Sequence, residues 1–315
     1  MSSRRGFLKQ GSLLSFGAMM LPETTFAAGK GKKAKKSAKG KMLGLQTYSL
    51  GPELQGDKVA QGLVRLREMG YGCIELAGYN NGKISGIPMA EYKKMADDAG
   101  IIIKSSHMNP NVLGRGEKYS HENMGKLRDF WKRATDDHAI LGLPYMVQPG
   151  LPNISCLEDA QMAAEVFNIA GEETKKAGIR FGYHNHDREF GKVVAGGKGI
   201  DMNRNARDGR RIEEVFITET DPDKVLIELD VYWTVMGGQD PVEWINKYAD
   251  RIQLLHIKDR LVLGQSGMMN FEQIFKNFYA NGHETFFVEI EDTRSGKQFE
   301  RVQASAEYLL GSKFV

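Results

Sequence analysis

Gly178-Ile179-Arg180-Phe181-Gly182-Tyr183-His184-Asn185-His186-Asp187 follows directly on an amphipathic run from Leu157 to Ala177. Gly178 stands where a helix would stop, because glycine takes the left-handed turn that closes a helix at little steric cost. Ile179 to His184 then reads as a short buried strand. Side chains alternate along a strand, so His184 and His186 share one face and Asn185 takes the other. Two imidazoles on one face at a strand end can hold a metal, or one can bind metal while the other moves a proton. The plainer account is a polar loop with two solvated histidines, and the pair alone does not decide between them.

The same punctuation recurs along the chain. Apolar runs lie at Met42–Tyr48, Gly72–Leu76, Ile101–His107, Tyr145–Pro149, Ile179–His184, Val225–Val231, Ile252–Lys258 and Thr285–Glu291. Helical patterns fall between most of them, at Val59–Met69, Met89–Ala99, Asn123–Leu141 and Leu157–Ala177. Gly70, Gly100, Gly142, Gly178 and Gly282 each sit just ahead of a strand. Alternating helix and strand predicts a parallel sheet, and eight such units predict an α/β fold, a single (β/α)8 TIM barrel over residues 42–315. An open doubly wound sheet is the competing architecture, but no GxGxxG follows the first strand and no phosphate loop occurs.

In such a barrel the strand ends face one mouth, where chemistry collects. These ends carry Gln46 and Tyr48, Glu75, His107, Gln148, His184 and His186, Asp230, His256 and Lys258, and Glu289 and Glu291. One buried polar group has many explanations; polar groups at the same end of all eight strands point to a shared site. His184, Asp230, His256 and Glu289 offer two imidazoles and two carboxylates, a set suited to one divalent ion: Mn, Co, Zn or Fe, with Mg less favoured. Taken singly, Asp230 could be a strand-end cap, Glu289 an ion-pair partner and His256 a core histidine bonded to backbone.

The chain has 315 residues, 41% hydrophobic and 26% charged, with 36 glycines and two distant cysteines, Cys73 and Cys156. That is globular composition with neither a disulfide framework nor a CxxC metal signature. The overall +3 hides an asymmetry. Residues 1–41 carry ten Lys or Arg and one acid, a net +9 that leaves −6 for residues 42–315. An acidic body argues against nucleic acid as a partner. Ser3-Arg4-Arg5-Gly6-Phe7-Leu8-Lys9, the apolar Leu13–Leu21 and the small residues before Ala27 resemble a twin-arginine export signal. Residues 1–28 are therefore expected to be a signal peptide and 29–41 a lysine-rich disordered linker, with the body exported to the periplasm and not inserted in a membrane once the signal is cleaved.

Four stretches in order carry a further resemblance: Phe181–Phe190, Glu228-Leu229-Asp230-Val231-Tyr232-Trp233, His256-Ile257-Lys258-Asp259 and Phe287-Val288-Glu289-Ile290-Glu291. Through them the body resembles the xylose-isomerase-like TIM-barrel superfamily and, within it, the sugar phosphate isomerase/epimerase branch. The resemblance implies a metal held by Asp230, His256, Glu289 and, at a position that is glutamate in many epimerases, His184. In ketose epimerases two ligand glutamates exchange protons on opposite faces of an enediolate. A histidine at 184 does not fit that scheme and is similar to the pattern of inosose dehydratase-type enzymes. Many relatives have histidine three residues after the aspartate; Trp233 there offers a sugar-stacking face.

The expected function is therefore that of a metal-dependent sugar isomerase or epimerase working through an enolate or enediolate on a sugar, keto-sugar or cyclitol. The alternative is a dehydratase or lyase that eliminates from a keto-sugar. His186 is the expected base or acid, with Lys258, its pKa lowered by a nearby metal, and Glu75 as further catalytic groups. His107, Gln46, Trp233 and Arg260 are the expected substrate contacts, and His107 could also share acid/base work. An endonuclease IV-type DNA repair enzyme and a non-catalytic sugar-binding protein are the distant alternatives. An oligomer is compatible with all of these.

Overall fold

A computed structural model describes residues 41–203, 206–291 and 293–315. The expected signal peptide and all of the expected linker but Lys41 lie outside the described residues. The barrel strands are β1 (Leu43–Gln46), β2 (Tyr71–Leu76), β3 (Ile102–His107), β4 (Tyr145–Gln148), β5 (Arg180–His184), β6 (Val225–Asp230), β7 (Ile252–Lys258) and β8 (Thr285–Glu289). Each pairs in parallel with its neighbours in sequence, and β1 pairs with β8, closing the sheet. The fold is thus a single (β/α)8 barrel.

The glycine punctuation has a direct backbone cause. Gly178 closes the helix Leu157–Lys175 at φ +73° and Gly142 follows a 3-10 turn at φ +65°, a region where a Cβ would be strained. The strands then alternate two faces. Phe181 and Tyr183 of β5 point outward, where Tyr183 stacks on Phe167 at 4.8 Å and meets Phe216 at 4.8 Å. His184 points inward.

Inside the barrel the layers change character along the axis. At the N-terminal end Val147, Leu226 and Leu254 form a small apolar cluster of their own. Phe287, two residues before Glu289, takes the same inward face, with its ring 6.2 Å from that of His256. Two glycines make room for this plug. A Cβ on Gly44 would lie 2.6 Å from Phe287 Cδ1, and one on Gly182 would lie 2.8 Å from Leu226 Cδ1. Above the plug the inward positions include Glu75, His107, His184, Glu228, Asp230, His256 and Glu289.

Two small antiparallel elements were not expected from the sequence, one of them the pair Lys192–Val193 and Arg210–Arg211. A small antiparallel meander, Tyr79–Asn80, Lys83–Ile84 and Ile87–Pro88, is inserted after β2. It sets Tyr79 over the mouth, anchored by a 2.7 Å bond from its hydroxyl to Asp137. Among the described residues, no helix is long and apolar enough to cross a membrane.

Candidate active site

A cavity of about 480 Å³ opens at the C-terminal end of the barrel. His107, His184, His186, Glu289 and Glu291 line its inner part, and Tyr48, Tyr79 and Asn109 line its rim. Among the described residues that line it there is no lysine or arginine.

Strand register explains how the inner groups meet. Asp230 is opposite His256, and Glu228 is opposite His184. Lys258 is opposite Glu289. His184, Asp230, His256 and Glu289 each contribute a ligand atom within 4.8 Å of the others, and all four are buried. The local sequence fixes their aim. Asp230 is also the cap of the short helix that follows: its Oδ1 accepts from Trp233 N at 2.9 Å, which leaves Oδ2 buried without a hydrogen bond, 3.9 Å from Lys258 Nζ. Asn185, facing away from its histidine neighbours, accepts from Asp230 N at 3.0 Å and so ties the end of β5 to the end of β6.

The electrostatics favour a cation. Five acids, Glu75, Glu228, Asp230, Glu289 and Glu291, surround His107, His256 and Lys258 and raise the pKa of all three, so a metal on His256 would take the place of a proton; burial and Glu75 push Glu228 up to about 7. Burial penalises the charge on Glu289, but Lys258 and His256 outweigh it and hold its carboxyl well below the usual range. Burial pushes Asp230 up to about 6, against the pull of Lys258. Burial, then the nearby His256 and His107, holds His184 well below its ordinary value, so its imidazole is neutral and has a lone pair to give. Buried carboxylates, the neutral His184 imidazole and an Asp230 Oδ2 without a hydrogen bond all suit a divalent ion on this set.

His186 lies at the edge of the set, half-buried, its ring 5.1 Å from His184 and 5.6 Å from Trp233. Burial and the charge of Lys258 lower its pKa, which keeps it neutral and able to accept a proton. Lys258 stands among carboxylates. It is fully buried, bonded to Glu289 at 2.9 Å and to Glu291, and its Nζ lies 4.9 Å from the centre of the Trp233 ring. Burial alone would lower its pKa, but Glu289, Asp230 and Glu291 raise it instead, so it is a fixed ammonium.

Gln46, Glu75, Trp233, Lys258 and Arg260, expected at the site, are not among the residues that line the cavity. Glu75 is fully buried beneath it; its Oε2 takes bonds from His256 Nε2 at 2.6 Å and Gln46 Nε2 at 2.8 Å, and His107 Nε2 lies at 3.0 Å. Burial opposes its charge, but His107 and His256 hold it ionised. Two inward residues on neighbouring strands, Gln46 and Glu75, are in register and bond to each other before either could meet a ligand. Arg260 is exposed outside the cavity lining. The turn there is built by Asp259, whose carboxylate accepts from the backbone of Arg260 at 2.7 Å and Gly264 at 3.1 Å. Trp233 is half-buried beside His186 and Lys258.

Sequence reasoning passed over Glu228. It is fully buried and lies 2.7 Å from His107 Nε2 and 3.2 Å from both His184 Nδ1 and His256 Nε2. The period of two in Glu228-Leu229-Asp230 was the available signal, since it puts both acids on one face.

The family profile described as "Xylose isomerase-like TIM barrel" matches residues 63–311. The chain belongs to the xylose isomerase-like TIM barrel family. Among solved structures, a sugar phosphate isomerase/epimerase from Parabacteroides distasonis is 50% identical, with a TM-score of 0.81, over 89% of this chain and 97% of that one. Inosose dehydratase from Lacticaseibacillus casei is 24% identical over 164 residues, 44% of this chain and 50% of that protein. Inosose dehydratase from Geobacillus kaustophilus is 36% identical over 113 residues, 35% of this chain and 32% of that protein. The chain spans half or less of the length of these curated relatives. The family member described above therefore belongs with sugar isomerases and epimerases, with inosose dehydratases among its relatives.

Proposed function

We propose that this family member is a divalent-metal-dependent enzyme that removes a proton next to the carbonyl of an unphosphorylated sugar, keto-sugar or cyclitol. The observation that carries the reading is the buried set His184, Asp230, His256 and Glu289, of which His184 and Glu289 line the cavity, with His186 beside it. These four residues would hold the ion, which when bound would polarise the substrate carbonyl and stabilise enolate charge.

The protein's own groups do the rest. His186, neutral and at the cavity wall, takes the proton from carbon. The indole of Trp233 gives a sugar ring a flat apolar face beside it. The Lys258 ammonium, held between Glu289 and Glu291, fixes both carboxylates and places positive charge near the developing enolate. A cavity lined without lysine or arginine suits a neutral sugar better than a phosphorylated one. Export to the periplasm, where free sugars and glycoside-derived ketones are met, is part of this proposal.

Two outcomes share that first step: return of a proton to the other face, which is epimerisation or isomerisation, and expulsion of a β-oxygen, which is elimination. The substitution of imidazole for a second glutamate at position 184 favours elimination, because a neutral ligand histidine leaves one proton carrier, His186, instead of a carboxylate on each face. Solvent deuterium supplied with the metal-loaded protein and a panel of free and 3-keto sugars tests the reading. Carbon-bound deuterium in recovered or epimerised sugar marks enolisation, and an unsaturated product marks elimination. Full metal binding by both Asp230→Ala and Glu289→Ala would overturn the assignment of the site.

A further inference from the structure

Below the proposed set the lumen holds a second group of converging donors. His107, His184, Glu228 and His256 also each offer an atom within 4.8 Å of the others, and all four are buried. Glu228 is two residues before Asp230 on β6, on the same face and about 6.6 Å deeper. Hydrogen bonding explains part of this cluster: His107 Nε2 meets Glu228 Oε2 at 2.7 Å, and His256 Nε2 and His107 Nε2 also face Glu75 Oε2 at 2.6 and 3.0 Å, contacts that an ion on those atoms would displace. It leaves two atoms over. His184 Nδ1, 3.2 Å from Glu228 Oε2, and Glu228 Oε1 are both buried with no hydrogen-bond partner.

We infer that the lower group is a second cation position, alternative to the upper one, that takes a nitrogen-seeking ion such as zinc. Three imidazoles and one carboxylate rank zinc, nickel or copper well above manganese, whereas the upper set, with two imidazoles and two carboxylates, is better suited to manganese than the lower one. The two positions use opposite edges of one ring. His256 Nδ1 lies 3.3 Å from Glu289 Oε2 in the upper set, and His256 Nε2 lies 3.2 Å from Glu228 Oε2 in the lower. A neutral imidazole has a single lone pair, so His256 serves one ion at a time. The barrel thus carries one ion, and the identity of the metal selects its depth. Zinc in the lower position withholds His256 from the upper set. The exclusion rests on the upper set being a metal site; the lower position does not.

The test uses the metal-stripped full chain titrated with zinc chloride or manganese chloride alone. Elemental analysis gives stoichiometry, and X-ray absorption at the zinc edge counts imidazoles. The inference expects one ion per chain, competition between the two metals, and three imidazoles around zinc. It expects Glu228→Gln and His107→Gln each to weaken zinc at least tenfold while manganese changes less than threefold. It expects Asp230→Asn to do the reverse. Zinc affinity unchanged in both lower-set variants, or a zinc shell of two imidazoles lost in Asp230→Asn, overturns it. Manganese binding insensitive to Asp230→Asn, with zinc still lost in Glu228→Gln, refutes the upper site and leaves the lower standing. Two lower-set variants guard against misfolding of either, with far-ultraviolet circular dichroism as the check on each.

Discussion

Glu75→Gln separates an orienting role from a chemical one. In the structure one oxygen of Glu75 receives His256 Nε2 at 2.6 Å and Gln46 Nε2 at 2.8 Å, with His107 Nε2 at 3.0 Å. This carboxylate sits behind a ligand imidazole and turns its Nδ1 toward Glu289. Glutamine keeps the volume and one acceptor but removes the charge. Loss of such an outer partner lowers metal affinity about 10- to 100-fold, or about 1.4–2.7 kcal/mol, in line with the ~1.5–3 kcal/mol of a hydrogen bond to a charged group. Competition titration of metal-stripped protein with manganese measures the first quantity. The rate of solvent deuterium uptake into substrate at saturating manganese measures chemistry, and is expected to stay within about threefold, because Glu75 has no path to the cavity. Unchanged manganese affinity together with a rate lowered by about 10²–10⁴ would refute this reasoning and make Glu75 an acid/base group.

His186→Gln is expected to show the opposite split, a rate lowered by about 10²–10⁴ with manganese affinity intact in the same titration. Glu189→Gln addresses pH. Burial raises Glu189 to about 7, and its carboxyl bonds to Tyr183 at 2.7 Å. A raised carboxyl contributes stability that is whole below its unfolded value near 4.5 and lost as pH climbs through about 7. Urea unfolding of the wild type should therefore show a decline between pH 5 and pH 8 that the variant makes shallower, gaining on the order of 3 kcal/mol relative to wild type at pH 8; parallel curves would discard the account. Gly44→Ala should lower stability by at least roughly 1–3 kcal/mol in the same measurement, because its Cβ would meet Phe286 O at 2.4 Å and Phe287 Cδ1 at 2.6 Å.

The fold was legible because its signals are local. A glycine such as Gly178 stops a helix wherever it stands, and the apolar run after it is a strand before any partner is known. That His184, Asp230, His256 and Glu289 would meet was legible for a related reason: each closes or nearly closes a strand, and barrel topology carries strand ends to one mouth. Depth was not legible. Gln46 and Glu75 read as mouth residues, yet lie below it because inward neighbours on β1 and β2 satisfy one another across the register. Glu228 was hidden by attention to the last residue of β6. The direction of the Lys258 shift depends on three carboxylates from β6, β8 and the chain beyond β8, which no spacing brings together.

The apolar plug of Val147, Leu226, Leu254 and Phe287 has a consequence for traffic. It seals the lumen at one end, so ions, water and sugar all pass through a single doorway. Arrival is then ordered: the deepest occupant enters first and leaves last. A sugar over the upper set corks the ion beneath it, and metal exchange should slow as substrate fills the cavity. Zinc at the lower level would sit behind every later visitor, and its residence time would be set by the queue above it as much as by its own ligands.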